Sequence, residues 1–276
     1  MKTILIIIFL STVTYSWETP SLNQVSKYAN KVKSIYSSYK KGSDSSPAEY
    51  KEKTDISGIS DRPRNTTGKL LRLPLNIENV FSSNNCDQVI KKEAYTSCYY
   101  PDLKISTMVY YQLQKKDLIL GYTKKRPSFY PEKGIPNKYR AKPKEYKRTN
   151  FDKGHIRSHA STAYDKSLLY QTYSMINIWP QRPKLNRQTW IKSEKYERLV
   201  ARKKGIIHVL NIAYIKRDHL TIGKGIVVPA GFYKILYSTD DDFKRCFYYS
   251  NKILTSIEVK KDKLKNHEVD CNKIRY

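Results

Sequence analysis

Phe151-Asp152-Lys153-Gly154-His155, followed downstream by Asn177-Ile178-Trp179-Pro180-Gln181, Leu185-Asn186, Trp190 and Glu194, is the stretch from which the rest of the chain is read. A histidine directly after glycine suits a strand end where the backbone approaches a neighbour closely. An imidazole, with an ordinary pKa near ~6.5, can take a proton from water at neutral pH. Arg187 to Lys204 has neither proline nor glycine and carries Trp190, Ile191, Leu199 and Val200, which predicts a helix ended by Gly205. Asn186 then opens that helix. At about 100° per residue, Glu194 lies roughly 80° around the axis from Asn186, so both side chains point broadly to one side. His155 and His159 have an i, i+4 spacing that on a helix could bind zinc. Gly154 and Ser158-His159-Ala160-Ser161 argue against a helix there, and no third ligand is evident. Trp190 reads as a core anchor, and Trp179 as core or as a base-stacking ring.

Outward from this stretch, strands outnumber helices. Met108–Leu113, Leu118–Tyr122, Ile206–Ala213, Gly225–Pro229, Gly231–Tyr237 and Lys244–Tyr249 are rich in β-branched and aromatic residues. Leu168–Ile178 reads as a turn running into a strand. Residues 126–150 hold four prolines and read as a long loop. Helix and strand do not alternate regularly, which predicts an α+β sheet rather than a doubly wound one. Residues 17–80 differ: Lys27, Lys31, Lys33, Lys40 and Lys41 lie among Ser and Tyr, and Gly42–Pro47 is linker-like. The expected organisation is a signal peptide at 1–16, a basic, partly ordered arm at 17–80, and a globular domain at 81–276.

The composition narrows the partners. The 276 residues carry 52 Lys+Arg against 25 Asp+Glu, a net charge of +27, which favours a polyanion or an anionic membrane surface. The 24 tyrosines supply packing area, so wholesale disorder is excluded. Between 115 and 157 there are 14 Lys/Arg against four acids, interleaved with Tyr122, Phe129, Tyr130, Tyr139 and Tyr146. Such a stretch can follow a phosphate backbone while rings stack on bases, or it can be a solvated basic loop. No amphipathic segment with a wide apolar face supports a membrane-active protein, and no stable membrane association is expected.

Met1-Lys2, the apolar run Thr3–Leu10, and small residues at Thr14 and Ser16 predict an export signal cleaved near Ser16-Trp17, hence a secreted or periplasmic protein. Four cysteines, Cys86, Cys98, Cys246 and Cys271, fit two disulfides in that compartment. Of three connectivities, the local pairs Cys86–Cys98 and Cys246–Cys271 are favoured.

Asp152-Lys-Gly-His155, Asn177-x-x-Pro-Gln181 and Asn186-x-x-x-Trp190-x-x-x-Glu194 together resemble the signature of the DNA/RNA non-specific endonuclease family. The resemblance extends to Val109-Tyr-Tyr-Gln-Leu113 and to Val228-Pro229…Phe232-Tyr-Lys234, and so covers about 95–260. It implies a mixed sheet–helix nuclease fold with a ββα-metal finger, DNA and RNA as substrates, and Mg2+ as cofactor, with Mn2+ able to substitute. By family role, His155 is the general base that deprotonates the attacking water. Asn186 is the direct protein ligand of the cation, and Glu194 is the acid beside it. Arg126 best matches the arginine that steadies the phosphate, Asn177 a supporting residue, and Asp152 and Lys153 the start of the first motif. A homodimer and an inhibitor protein are open partners.

The chemistry fits those roles. A phosphodiester is anionic and has a poor leaving group, so a base must supply the nucleophile and a cation must stabilise developing charge. Mg2+ keeps much of its water and needs few protein ligands. Nothing in the set reads a base edge, so sequence-independent cleavage follows. Two departures stand out: Lys153 replaces the usual arginine and loses its planar fork, and Ile156-Arg157-Ser158-His159 replaces a small residue and proline after the histidine. The rival reading is a non-catalytic nucleic-acid-binding protein, which the joint presence of His155, Asn186 and Glu194 opposes.

Overall fold

The computed structural model describes residues 69–276 apart from 119, 121, 122 and 124. The expected signal peptide at 1–16, the arm from 17 to 68, and Tyr122 lie outside the described residues.

A seven-stranded antiparallel sheet is the frame, in the order β1-β2-β3-β6-β9-β10-β11. Its strands are β1 (Gln88–Lys91), β2 (Thr96–Tyr100), β3 (Ile105–Gln114), β6 (Ile206–Tyr214), β9 (Gly231–Tyr237), β10 (Lys244–Ser250) and β11 (Glu268–Val269). Because side chains alternate along a strand, each long strand feeds two cores. On one face lie Ile105, Val109, Tyr111, Leu113, Ile207, Val209, Phe232, Leu236, Phe247 and Tyr249. On the other lie Met108, Leu210, Ile212, Ile235, Tyr237 and Cys246.

The second core is closed by the ends of the described chain. A short helix α1 (Ile77–Val80), capped by the Asn76 side chain, buries Val80 and Phe81 beside Leu71 and Ile274. Leu71 N–H donates to Ile274 O at 2.9 Å and Tyr276 N–H to Lys69 O at 3.1 Å. The packed unit therefore takes in residues 69–80, which the sequence reading assigned to the arm. Both expected disulfides, Cys86–Cys98 and Cys246–Cys271, lie in this core. They fit an oxidising compartment. No described helix is long and apolar enough to cross a membrane.

The first core is covered by a two-stranded unit and a helix. Strands β4 (Asp152–His155) and β5 (Ile178–Gln181) pair antiparallel with His155 opposite Ile178 and Asp152 opposite Gln181. A continuous helical segment follows, a π-turn over Leu185–Trp190 and then α4 (Ile191–Lys204), ended by Gly205 at φ 90°. The left-handed backbone at Gly205 carries no Cβ penalty, which is why the helix stops there. A hairpin of β7 (Thr221–Ile222) and β8 (Ile226–Val227) and a helix α5 (Ser256–Lys261), with a Thr255/Glu258 capping box, complete the periphery.

Three local expectations are corrected. Of the expected strand Leu118–Tyr122, residues 119, 121 and 122 lie outside the described residues, and Leu118 ends a short helix α2 (Lys115–Leu118). Leu168–Ile178 contains a helix α3 (Lys166–Thr172) and a 3-10 turn (Met175–Asn177) before β5 begins at Ile178. Asp165 caps α3 by accepting from Leu168 N–H at 2.8 Å. The helix carrying Glu194 begins at Leu185, not Arg187, and its first turn is wider than α. The 100°-per-residue step between Asn186 and Glu194 therefore does not hold. Trp179 belongs to the core: it is fully enclosed, stacks on Phe232 at 4.8 Å, and its indole N–H donates to Ser106 O at 2.7 Å.

Candidate active site

The two strands and the helix converge on the residues singled out by sequence. Gly154 is required because a Cβ there would lie 2.1 Å from Gln181 Oε1 and 2.4 Å from its Cδ. Gln181 is fully buried and cannot swing aside. This close approach brings β4 and β5 together and presents His155 at the strand end.

The His155 ring is held between aromatics, 5.2 Å from Phe129 and 4.7 Å, edge-on, from Tyr173. Its Nε2 is enclosed without a hydrogen-bond partner. Burial first, then the positive fields of His159 and Arg126, hold its pKa down to about 3. The imidazole is therefore neutral at physiological pH, and a nearby phosphate anion would raise its affinity for a proton. Lys153, two residues earlier and so on the same strand face, sets its ammonium 5.3 Å from the Phe129 ring and 5.7 Å from Tyr146. Arg126 is exposed and close enough for its charge to reach both histidines.

Asn177 is a scaffold. Its Nδ2 donates to Thr172 O at 2.8 Å and Arg157 O at 3.0 Å, and its Oδ1 accepts from Arg157 N–H at 2.9 Å. With Ile156 N–H donating to Asn177 O at 2.9 Å, the loop after His155 is tied to the start of β5. His159 is structural: its Nδ1 meets the Tyr173 hydroxyl at 3.0 Å and its Nε2 the Thr123 carbonyl at 3.1 Å. Both ring nitrogens are engaged, so His159 does not pair with His155 as a zinc ligand.

On the helix side, Asn186 Nδ2 donates to Asp152 Oδ2 at 2.9 Å, while Arg187 clasps the same carboxylate through Nε at 2.8 Å and Nη2 at 2.7 Å. Burial alone would push the Asp152 carboxyl up, but these donors win and hold it below the usual carboxylate range. The clasp fixes the Asn186 amide and leaves its Oδ1 without a donor among the described residues. Burial pushes the Glu194 carboxyl up to about 7. Glu197 adds to this, while Lys234 and Arg198 oppose it.

Among the described residues, no three His, Cys, Asp or Glu side chains gather into a metal-holding group. The donor types that Asn186 and Glu194 could offer are one amide oxygen and one carboxylate. That set suits a hard cation that keeps most of its water, as Mg2+ does, and not zinc or copper.

A buried ionic network beneath Glu194 was not foreseen from sequence. Lys234 Nζ and Glu197 Oε2 lie 2.5 Å apart with both side chains fully enclosed. Glu197 also accepts from the Tyr111 hydroxyl at 3.0 Å and Ser161 Oγ at 2.9 Å. Register explains the meeting: Val109 faces Asn211, and Asn211 faces Lys234, so Tyr111, Asn211 and Lys234 share the face under α4. Lys234 stood in the quoted Phe-Tyr-Lys run, but nothing local distinguished it from the other lysines. Arg157, counted in the basic stretch, is buried, donates to the Ala94 carbonyl, and lies over the Tyr111 ring at 5.0 Å. It is not available to grip substrate. Lys125, Arg126, Lys133, Lys138, Lys147 and Arg148 remain exposed.

Known proteins resemble this chain in sequence and in fold. Human mitochondrial endonuclease G (Homo sapiens) is 26% identical over 162 residues, covering 54% of each chain. The mitochondrial nuclease of Saccharomyces cerevisiae is 26% identical over 160 residues, 52% of this chain and 49% of that one. A nuclease of Nostoc sp. is 31% identical over 106 residues, 38% of each. The chain thus spans about half the length, or less, of these curated relatives. A solved structure of an EndoG/EndoGI complex, described as showing the mechanism of EndoG inhibition, shares the fold with a TM-score of 0.59 at 17% identity, over 72% of this chain and 88% of that one. Residues 74–276 match the sequence model of the DNA/RNA non-specific endonucleases, and with a match over most of its length the chain belongs to that family.

Proposed function

We propose that the protein is a secreted or periplasmic, Mg2+-dependent endonuclease that hydrolyses phosphodiester bonds in DNA and RNA. The observation that carries this reading is the Asp152–Asn186 hydrogen bond of 2.9 Å, which joins the β4 strand bearing His155 to the helix bearing Glu194. The bond turns the Asn186 amide nitrogen toward β4 and leaves its oxygen without a donor among the described residues.

His155 accepts a proton from water as the water oxygen bonds to phosphorus and the ester P–O bond breaks. The leaving oxygen takes its proton from solvent. Arg126 and Lys153 hold the phosphate by charge, Arg126 with a planar fork that can bind two oxygens. Asn177 keeps the His155 loop in place, and Asp152 orients Asn186. Asn186 and Glu194 would hold Mg2+, or Mn2+ in its place, whose positive charge stabilises the phosphate and leaving oxygens as charge develops. No residue of this set reads a base edge, which supports cleavage of either polymer. The apolar N-terminus and two disulfides support export, with the mature chain starting at Trp17. An inhibitor protein fits an enzyme of this activity, and a homodimer remains part of the reading.

The test is cleavage of plasmid DNA and of RNA by the oxidised chain from Trp17, with Mg2+, with EDTA, and with a His155→Ala variant. Both polymers should be degraded with Mg2+ and spared in the other two arms. A folded, oxidised, cation-supplied protein that cuts neither would refute the reading.

A further inference from the structure

We propose that Tyr170, backed by Tyr130, is a stacking platform for a nucleobase of single-stranded substrate next to the scissile phosphate. This rests on the nuclease reading and adds a base-binding subsite to it.

Tyr170 is 53% exposed, although its ring lies 4.6 Å from that of Tyr130 with only 10° between their planes. Tyr130 covers one face, so the exposure falls on the other face and the edge. The ring is held rather than loose. Tyr130 pairs by a bridge with Ser174, its N–H donates to Tyr173 O at 3.1 Å, and its carbonyl accepts from Met175 N–H at 2.9 Å. Tyr170 is carried by α3, whose C-terminal carbonyl at Thr172 accepts from the buried Asn177. A stacked, preset aromatic face costs little to bind against, because its rotamer freedom is already lost.

Position links this face to the chemistry. Phe129, adjacent in sequence to Tyr130, and Tyr173, three residues after Tyr170, are the two rings that flank His155, and they lie 4.9 Å from each other. Lys166 is exposed and stands four residues before Tyr170 on the same helix face, where its ammonium suits a phosphate flanking a stacked base. Every base has a π-face, so stacking holds the strand without reading its sequence. A duplex buries its base faces, so the subsite favours single strands.

The experiment compares the parent with Tyr170→Ala, Tyr170→Phe and Tyr170→Trp. Binding of a fluorescent single-stranded oligonucleotide is read by anisotropy in EDTA, and cleavage with Mg2+ is read on that oligonucleotide, on duplex DNA, and on a base-free tetrahydrofuran phosphodiester polymer. Tyr170→Ala should weaken single-strand binding and kcat/KM about tenfold, with Phe and Trp keeping the parent values. Base-free polymer should be cut equally by parent and Tyr170→Ala. The proposal is overturned if Tyr170→Ala stays within twofold of the parent on single strands, if Phe loses as much as Ala, or if the base-free polymer suffers the same loss. Absence of cleavage by the parent would instead refute the nuclease reading, while anisotropy still decides the stacking.

Discussion

Replacing Lys234 by methionine isolates the buried ion pair beneath the candidate site. Both side chains of the Lys234–Glu197 pair are fully enclosed, and the charged atoms lie 2.5 Å apart. Removing one partner leaves a carboxylate enclosed with only the Tyr111 and Ser161 hydroxyls, at 3.0 and 2.9 Å, to support it. Breaking such a pair costs about 3–5 kcal/mol. For a unit of this size each kcal/mol moves Tm by about 2–4 °C, so Lys234→Met should melt about 6–20 °C below the parent. Glu197→Gln alone leaves the ammonium with an amide oxygen, the Tyr111 hydroxyl at 3.5 Å and the field of Glu194 in place of its ion-pair partner, and should cost less than Lys234→Met. The double variant removes both charges while the amide oxygen still accepts from the two hydroxyls. Its loss should fall below that of Lys234→Met, with a coupling of at least ~2 kcal/mol. The assay is guanidinium unfolding of oxidised protein, with equal m-values required for the comparison. Lys234→Met within ~1 kcal/mol of the parent, or single losses that add to the double within ~0.5 kcal/mol, would refute the reasoning.

Other outcomes follow from the same geometry. Asp152→Ala frees the Asn186 amide and should weaken Mg2+ binding about 10–100-fold by calorimetry. Its Tm should change little, because the Arg187 side chain that it also releases is 67% exposed. Gly154→Ala drives a methyl into the Gln181 side chain, 2.1 Å from Oε1, and should cost about 1–3 kcal/mol in unfolding free energy with a parallel loss of activity; parent-like stability would mean that the β4–β5 contact is looser than described. His155 falls from the ordinary 6.5 in the unfolded chain to about 3 in the fold. Between those values the unfolded state binds the extra proton, so stability contributed by the neutral ring is full above pH 6.5 and is lost as pH falls toward 3. Tm of the metal-free protein should therefore drop more steeply on acidification than that of His155→Gln, and parallel curves would contradict the burial of the ring.

Much of the site was legible because its chemistry is written in short, ordered motifs. Gly154 before His155, a helix free of proline and glycine and ended by Gly205, and two local cysteine pairs each follow from backbone or covalent constraints that act within a few residues. The β-branched and aromatic runs of β3, β6 and β9 likewise mark strands, which the fold buries on both faces. What those local rules could not decide depends on partners far along the chain. The π-turn at Leu185–Trp190 arises within a helix start fastened to β4 through Asp152. Burial turned Arg157 from one charge in a basic stretch with two open readings into a core residue, and Trp179 from a two-way reading into a core ring stacked on Phe232. Lys234 and Glu197 meet only because the β3–β6–β9 register sets one beneath α4 and the helix sets the other above it. A short apolar period or motif is encoded by neighbours in sequence, whereas the pairing of buried charges is encoded by neighbours in space, and for those only the folded chain brings the partners together.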